Sequence, residues 1–143
     1  LEVLPDDCST GLHFCRGNYR SRWRCECSLE PVAERVLGEL PYYAFLVEWD
    51  DIRRDGGYEP IRFTPERRVV VMGLVSSKRR ELERDDDVLG RLEEASRHLP
   101  LDQLALSTQC GFASVIEGNE IDEDTQWRKL ELVARVADRV WPR

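Results

Sequence analysis

The run "VVVMGLV", residues 69–75, places four β-branched side chains in seven positions and contains no charge. β-Branched residues lose rotamer freedom in a helix and pack well on a pleated surface, so the run predicts a strand. Apolar side chains on both faces of a strand require cover on both faces, as in a parallel sheet flanked by helices. The stretch "YYAFLVE", residues 42–48, has the same character and ends on an acid. Two shorter runs, "GLHFC" at 11–15 and "QLALST" at 103–108, complete a set of four predicted strands.

Helical patterns fall between and after them. Glu30-Pro31 starts a segment in which Val32, Val36, Leu37 and Leu40 form an apolar stripe ending before Pro41. Residues 85–99 open on three aspartates and carry Val88, Leu89, Leu92, Ala95 and Leu99 at helical spacing. Residues 122–141 predict a long amphipathic helix with Trp127, Leu130, Val133, Ala134, Ala137, Val140 and Trp141 on one face. Residues 16–28 and 49–68 read as loops. Strand and helix thus alternate about four times, the order of parallel βαβ units. No glycine-rich phosphate loop follows any strand, which favours a (β/α) barrel over a nucleotide-binding sheet. An eight-unit barrel takes roughly 250 residues, and this chain of 143 residues supplies about four units. It is expected to be the last four βα units of a TIM-barrel type (β/α)8 α/β fold, one domain over 1–143.

Composition narrows the class. A net charge of −7 and a pI near 5.0 argue against a broad nucleic-acid or anionic-membrane footprint. No apolar run reaches the roughly 18 residues of a membrane span and no signal-peptide pattern is present, so a cytoplasmic location is expected. Five cysteines, at 8, 15, 25, 27 and 110, cannot all pair, and thiols in such a chain are more often buried, catalytic or metal-bound than cross-linked. The chain begins at Leu1 and its only methionine is Met72, as expected of a piece of something longer.

In parallel α/β sheets, chemistry gathers at the carboxyl ends of the strands. His13 and Cys15 close the first strand and, two apart, face the same side. Glu48 ends the second strand, and Cys110 follows the fourth, before Gly111. Each has a plain structural reading: a hydrogen-bonded histidine, two small core thiols, and an acid paired with a nearby arginine. Together, His13, Cys15, Glu48 and Cys110 form a donor set suited to Zn2+. Two thiolates and a carboxylate more than neutralise the dication, which suits activation of a substrate thiol better than hydrolysis by a polarised water.

The blocks "LHFCRGNYRS", "FLVEWDD", "VVMGLVSSKRRELE", "PLDQLALSTQCGFAS" and "EGNEIDEDTQWRKLELVARVADRVW" resemble, in order, the carboxyl-terminal part of cobalamin-independent methionine synthase-like proteins. The resemblance spans about residues 11–141. It implies a (β/α)8 barrel and a zinc methyltransferase of methionine biosynthesis that passes a methyl group from a methyltetrahydrofolate to homocysteine. Its zinc ligands fall on His13, Cys15, Glu48 and Cys110, with Glu48 expected to yield when substrate sulfur binds. Epoxyalkane:coenzyme M transferase-like thiol alkylation and a zinc-binding, non-catalytic half-barrel are the alternatives. Three departures stand out. The family histidine that serves the folate is replaced in the "GLVSSK" run, where Val75 ends the strand. Cys25-Glu26-Cys27 stands where relatives have a glycine-rich run. The amino-terminal half of the barrel is missing, so a complementary half-barrel or self-association is expected to cover the two open edges. Arg16, Arg20, Arg22 and Arg24 read as substrate-anion contacts or a solvated loop, and Asp50 and Asp51 as candidate substrate contacts.

Overall fold

The computed structural model describes residues 5, 7–51, 56–113 and 115–142. Four parallel strands, β1 (Gly11–Phe14), β2 (Ala44–Glu48), β3 (Val69–Val75) and β4 (Leu104–Thr108), lie side by side in sequence order. Helix α1 (Asp85–Ala95) joins β3 to β4, and α2 (Glu123–Val140) follows β4. All four strands form where the sequence predicts, shortened by up to two residues.

Parallel pairing aligns side chains into rows across the sheet. Leu12, Phe45, Val70 and Leu104 share one row, and Phe14, Val47, Met72 and Leu106 another on the same face. These rows pack against Val88, Leu92 and Ala95 of α1 and Leu132 and Val136 of α2, so this face holds the core. The row between them, His13, Leu46, Val71 and Ala105, lies on the other face, where Leu46 is 36% exposed. Helices therefore cover only one face among the described residues, whereas the apolar strands predict cover on both.

Three further expectations change. Residues 30–40 form not one α-helix but a 3-10 turn at Glu30–Val32 and a wider π-type turn at Glu34–Glu39. Its inward residues are Leu29, Ala33 and Leu37, four apart, while Val32 is exposed. Leu40 is already extended, as a residue before proline favours. The 49–68 loop contains a 3-10 helix, Glu59–Phe63, which buries Pro60 and Ile61 beside Tyr58, and the Tyr58 ring lies 5.7 Å from that of Trp49. On α2, Trp127, Leu130 and Ala134 point outward, and the buried face is Lys129, Leu132 and Val136. Lys129 tolerates full burial because Nζ donates to the Glu83 carboxylate at 2.8 Å and the Glu81 carbonyl at 2.7 Å.

The carboxyl ends of the strands are tied by polar groups. Arg91 of α1 donates to the carbonyls of Trp49 and Leu74 and to the Tyr58 hydroxyl. Asp122 caps α2 by accepting from the Thr125 amide at 2.9 Å, which holds its carboxyl below the usual carboxylate range. No described helix is long and apolar enough to cross a membrane.

Candidate metal centre

β1 delivers His13 and, one residue beyond its end, Cys15 to the open face of the sheet. Cys110 reaches the same place by a different route. The β3–β4 register shifts between Gly73 and Val75, so the chain after Thr108 closes over Gly73. A Cβ on Gly73 would lie 2.9 Å from both the Gln109 Cα and the Val47 carbonyl oxygen. Only a glycine leaves room for that approach. Gln109, itself buried, then donates from Nε2 to Cys110 Sγ at 2.8 Å and accepts from the Ser77 hydroxyl at 2.8 Å.

The donor atoms of His13, Cys15 and Cys110 all lie within 4.8 Å of one another. Cys110 Sγ is 3.4 Å from His13 Nε2. Two donors bound tetrahedrally to one zinc, at ordinary zinc–sulfur and zinc–nitrogen lengths, are about 3.6 Å apart. The trio thus fits a small thiophilic dication without large movement. A cavity of about 250 Å3 borders it, lined by residues including His13, Leu46, Ser107 and Cys110. Without a metal, the Cys110 thiol is pushed up to about 12, first by burial and then by Cys15, which is also hydrogen-bonded to it. Lys78 works in the opposite direction and Glu48 adds to the rise.

Glu48 reaches the same rim but stands in other company. Its side chain is fully buried, Oε1 accepts from Lys78 Nζ at 2.7 Å, and Oε2 accepts from the Arg16 amide at 2.6 Å. The Lys78 side chain is only 3% exposed. Three of the four residues singled out from sequence are therefore brought together as donors, and the fourth is held beside them by a lysine. Lys78 and Gln109 escaped sequence reasoning. A signal for Lys78 did exist: an acid ending an apolar strand needs a cation, and Lys78 lies three residues past the neighbouring strand.

The remaining candidates separate by burial. Arg16 is structural, its guanidinium donating to the Glu48 carbonyl at 3.1 Å and the Cys27 carbonyl at 2.7 Å. Arg20, Arg22 and Arg24 are exposed, the first two in a tight turn in which Arg20 and Ser21 both take positive φ. The Asp50 carbonyl accepts from Arg79, and Asp51 lies 3.9 Å from the same guanidinium. Cys25 and Cys27 are exposed, and slight desolvation followed by the neighbouring Cys27 raises the Cys25 thiol. Val75 is fully buried.

No protein-family model matches the chain. Over 138 residues it is 47% identical to YxjG and 45% identical to YxjH, two uncharacterised proteins of Bacillus subtilis strain 168. The match takes in 96% of this chain but only 36% of either relative. In structure, 99% of the chain superposes on 38% of a candidate vitamin-B12-independent methionine synthase from Listeria monocytogenes, with a TM-score of 0.74 and 34% identity. A B12-independent methionine synthase from Shewanella sp. W3-18-1, solved with selenomethionine, shares the fold over 97% of the chain and 40% of its own, with a TM-score of 0.68 and 21% identity. The chain is thus an α/β unit whose structural neighbours are segments of B12-independent methionine synthase structures.

Proposed function

We propose that residues 1–143 are the carboxyl-terminal half of a methionine synthase-like (β/α)8 barrel that transfers a methyl group to a thiol with the help of zinc. Homocysteine is the acceptor class and a methyltetrahydrofolate the donor class, in a cytoplasmic route to methionine. The observation that carries this reading is the convergence of His13, Cys15 and Cys110 on one point at the carboxyl ends of the strands. A zinc ion held by two thiolates supplies a centre on which a substrate thiol ionises at neutral pH yet stays nucleophilic.

The chain's own residues do the rest. His13 and Cys15 are fixed by strand geometry, and Cys110 by Gln109 and the tight approach at Gly73. Lys78 and Glu48 place a buried ion pair beside the donors, which moderates the charge there. The open sheet face, with His13 and Leu46 exposed, supports a longer protein in which further strands cover that face and the free edges of β1 and β4. The 36% span of YxjG and YxjH agrees with that reading. Val75 stands where the family histidine serves the folate and offers no titratable group, and this is the observation behind the second reading, epoxyalkane:coenzyme M transferase-like chemistry.

Metal analysis of the purified, reduced chain tests the proposal. About one zinc per chain is expected, lost in His13→Ala and in Cys110→Ser. Zinc retained in both variants, or absent from the parent, overturns it. In a protein that also contains the remaining strands, zinc-dependent methylation of homocysteine separates the folate reading from epoxide opening.

A further inference from the structure

Cys25-Glu26-Cys27 takes no part in the site described above. Both cysteines are free and exposed. Their thiols are nonetheless neighbours, with Cys27 hydrogen-bonded to Cys25. Glu26, the one residue between them, is turned aside and accepts from the Trp23 indole at 2.8 Å. The segment is fastened at both ends to Arg16. The Arg16 carbonyl accepts from the Arg24 amide at 2.8 Å, the Cys25 amide at 3.4 Å and the Cys25 thiol at 3.8 Å, while the Arg16 guanidinium donates to the Cys27 carbonyl at 2.7 Å. Arg16 is itself buried and donates onward to the Glu48 carbonyl, which ties it to the end of β2. Residues 24–27 are thus held at a place where two thiols meet in solvent, and exposed thiols are the ones that exchange.

We propose that Cys25 and Cys27 form a reversible dithiol–disulfide pair, a modification site whose co-reactant is a low-molecular-weight disulfide. One cysteine, as its thiolate, attacks a sulfur of that disulfide. The S–S bond breaks, a small thiol leaves and a mixed disulfide stays on the chain. The neighbouring thiolate then attacks the chain's own sulfur in the mixed disulfide, closing the Cys25–Cys27 bond and releasing a second small thiol. The chain loses two electrons, the small disulfide gains them, and the two cysteine protons end on the two small thiols. Oxidation also removes the S–H that donates to the Arg16 carbonyl, leaving that oxygen to the two amides. An exposed disulfide closing so small a ring is readily reduced, which suits a reversible signal better than a structural cross-link.

The test is incubation of the reduced chain in buffers of graded oxidised-to-reduced glutathione ratio, then acid quench, alkylation and tryptic mapping. Cleavage after Arg24 and Arg35 places both cysteines on one peptide, residues 25–35, apart from Cys8, Cys15 and Cys110. That peptide is expected to become lighter by two hydrogens, to carry no lasting glutathione, and to revert with dithiothreitol. Cys25→Ser and Cys27→Ser each leave no resolving thiol and are expected to accumulate the mixed disulfide instead. Half-oxidation should need about threefold less oxidised glutathione, or lower still, in the folded chain than in guanidinium-denatured chain. The gain is modest because a one-residue spacing keeps the thiols close even when unfolded.

A peptide that stays a dithiol in excess oxidised glutathione overturns the proposal. So does a glutathione adduct that persists in the parent, or a cross-link from either cysteine to Cys8, Cys15 or Cys110. A folded chain no more readily oxidised than the denatured one overturns it as well, because the fold would then do nothing to pair the two thiols.

Discussion

The two faces of the sheet differ in what holds them. On the helix-covered face Phe45, Val47, Val70 and Met72 are at most 2% exposed and belong to one apolar cluster with residues of the helices. On the other face Leu46 is 36% exposed, and the residues that count are polar: His13, Cys15 and Glu48, with Lys78 and Cys110 brought in from loops. Stability is concentrated in the first and the proposed chemistry in the second. Few residues serve both, so substitutions can separate the two.

The largest expected loss of stability comes from Met72→Ala. Met72 is fully buried in the row facing the helices, and truncation there should cost about 2–5 kcal/mol by denaturant unfolding. Leu46→Ala, one residue away in register on the other face, should cost well under half as much. Equal losses would mean that the open face is packed in solution.

Gly73→Ala is expected to break the separation. It stands opposite Glu48 in register, and a Cβ would press on the backbone of both neighbouring strands. Overpacking of this kind costs about 1–3 kcal/mol. It should also displace Cys110 and weaken zinc binding, a joint effect that Met72→Ala at a permissive temperature should not show.

The open face can be sharpened by thiol chemistry. With its pKa near 12, Cys110 has about a thousandfold less thiolate at neutral pH than a thiol at its ordinary value of 9.0. In metal-free chain at pH 8, mass spectrometry after brief iodoacetamide treatment should therefore find exposed Cys8 alkylated first and Cys110 late. Raising the pH should accelerate Cys110 up to the limit of folding. Early modification of Cys110 would contradict the half-buried Cys15–Cys110 pair.

How far the sequence foretold this arrangement depends on what each element answers to. The four strands were legible because a run such as Val69–Val75 satisfies strand propensity and burial together. His13, Cys15 and Cys110 were legible because period-two alternation and strand-end position fix where a side chain emerges. The segment at Glu34–Glu39 was not, since its spacing also suits an α-helix and only tertiary packing selects the wider turn. The buried face of α2 was misplaced because apolar periodicity passes over Lys129, whose burial depends on Glu83, distant in sequence. Lys78 was passed over for a related reason: the acid that ends β2 called for a cation, but that cation lies beyond another strand, thirty residues away.

The smallest expected effect lies outside both faces. Arg135 of α2 donates to Asp85 at the start of α1 through two bonds of 2.8 Å and holds its carboxyl below the ordinary value of 3.8. A depressed folded pKa contributes stability that is present above the unfolded value and lost as pH falls through the folded one. Asp85→Asn should lower the melting temperature slightly at neutral pH, with the difference shrinking in acid and in high salt. A difference that grows in acid would contradict the assigned pair.

Zinc K-edge X-ray absorption of the reduced chain loaded with one equivalent of zinc tests the central claim most directly. Two sulfur neighbours at about 2.3 Å and an imidazole nitrogen at about 2.0–2.1 Å are expected, with one sulfur lost in Cys110→Ser. A first shell without sulfur, or one of four sulfurs drawing in Cys25 and Cys27, would contradict it.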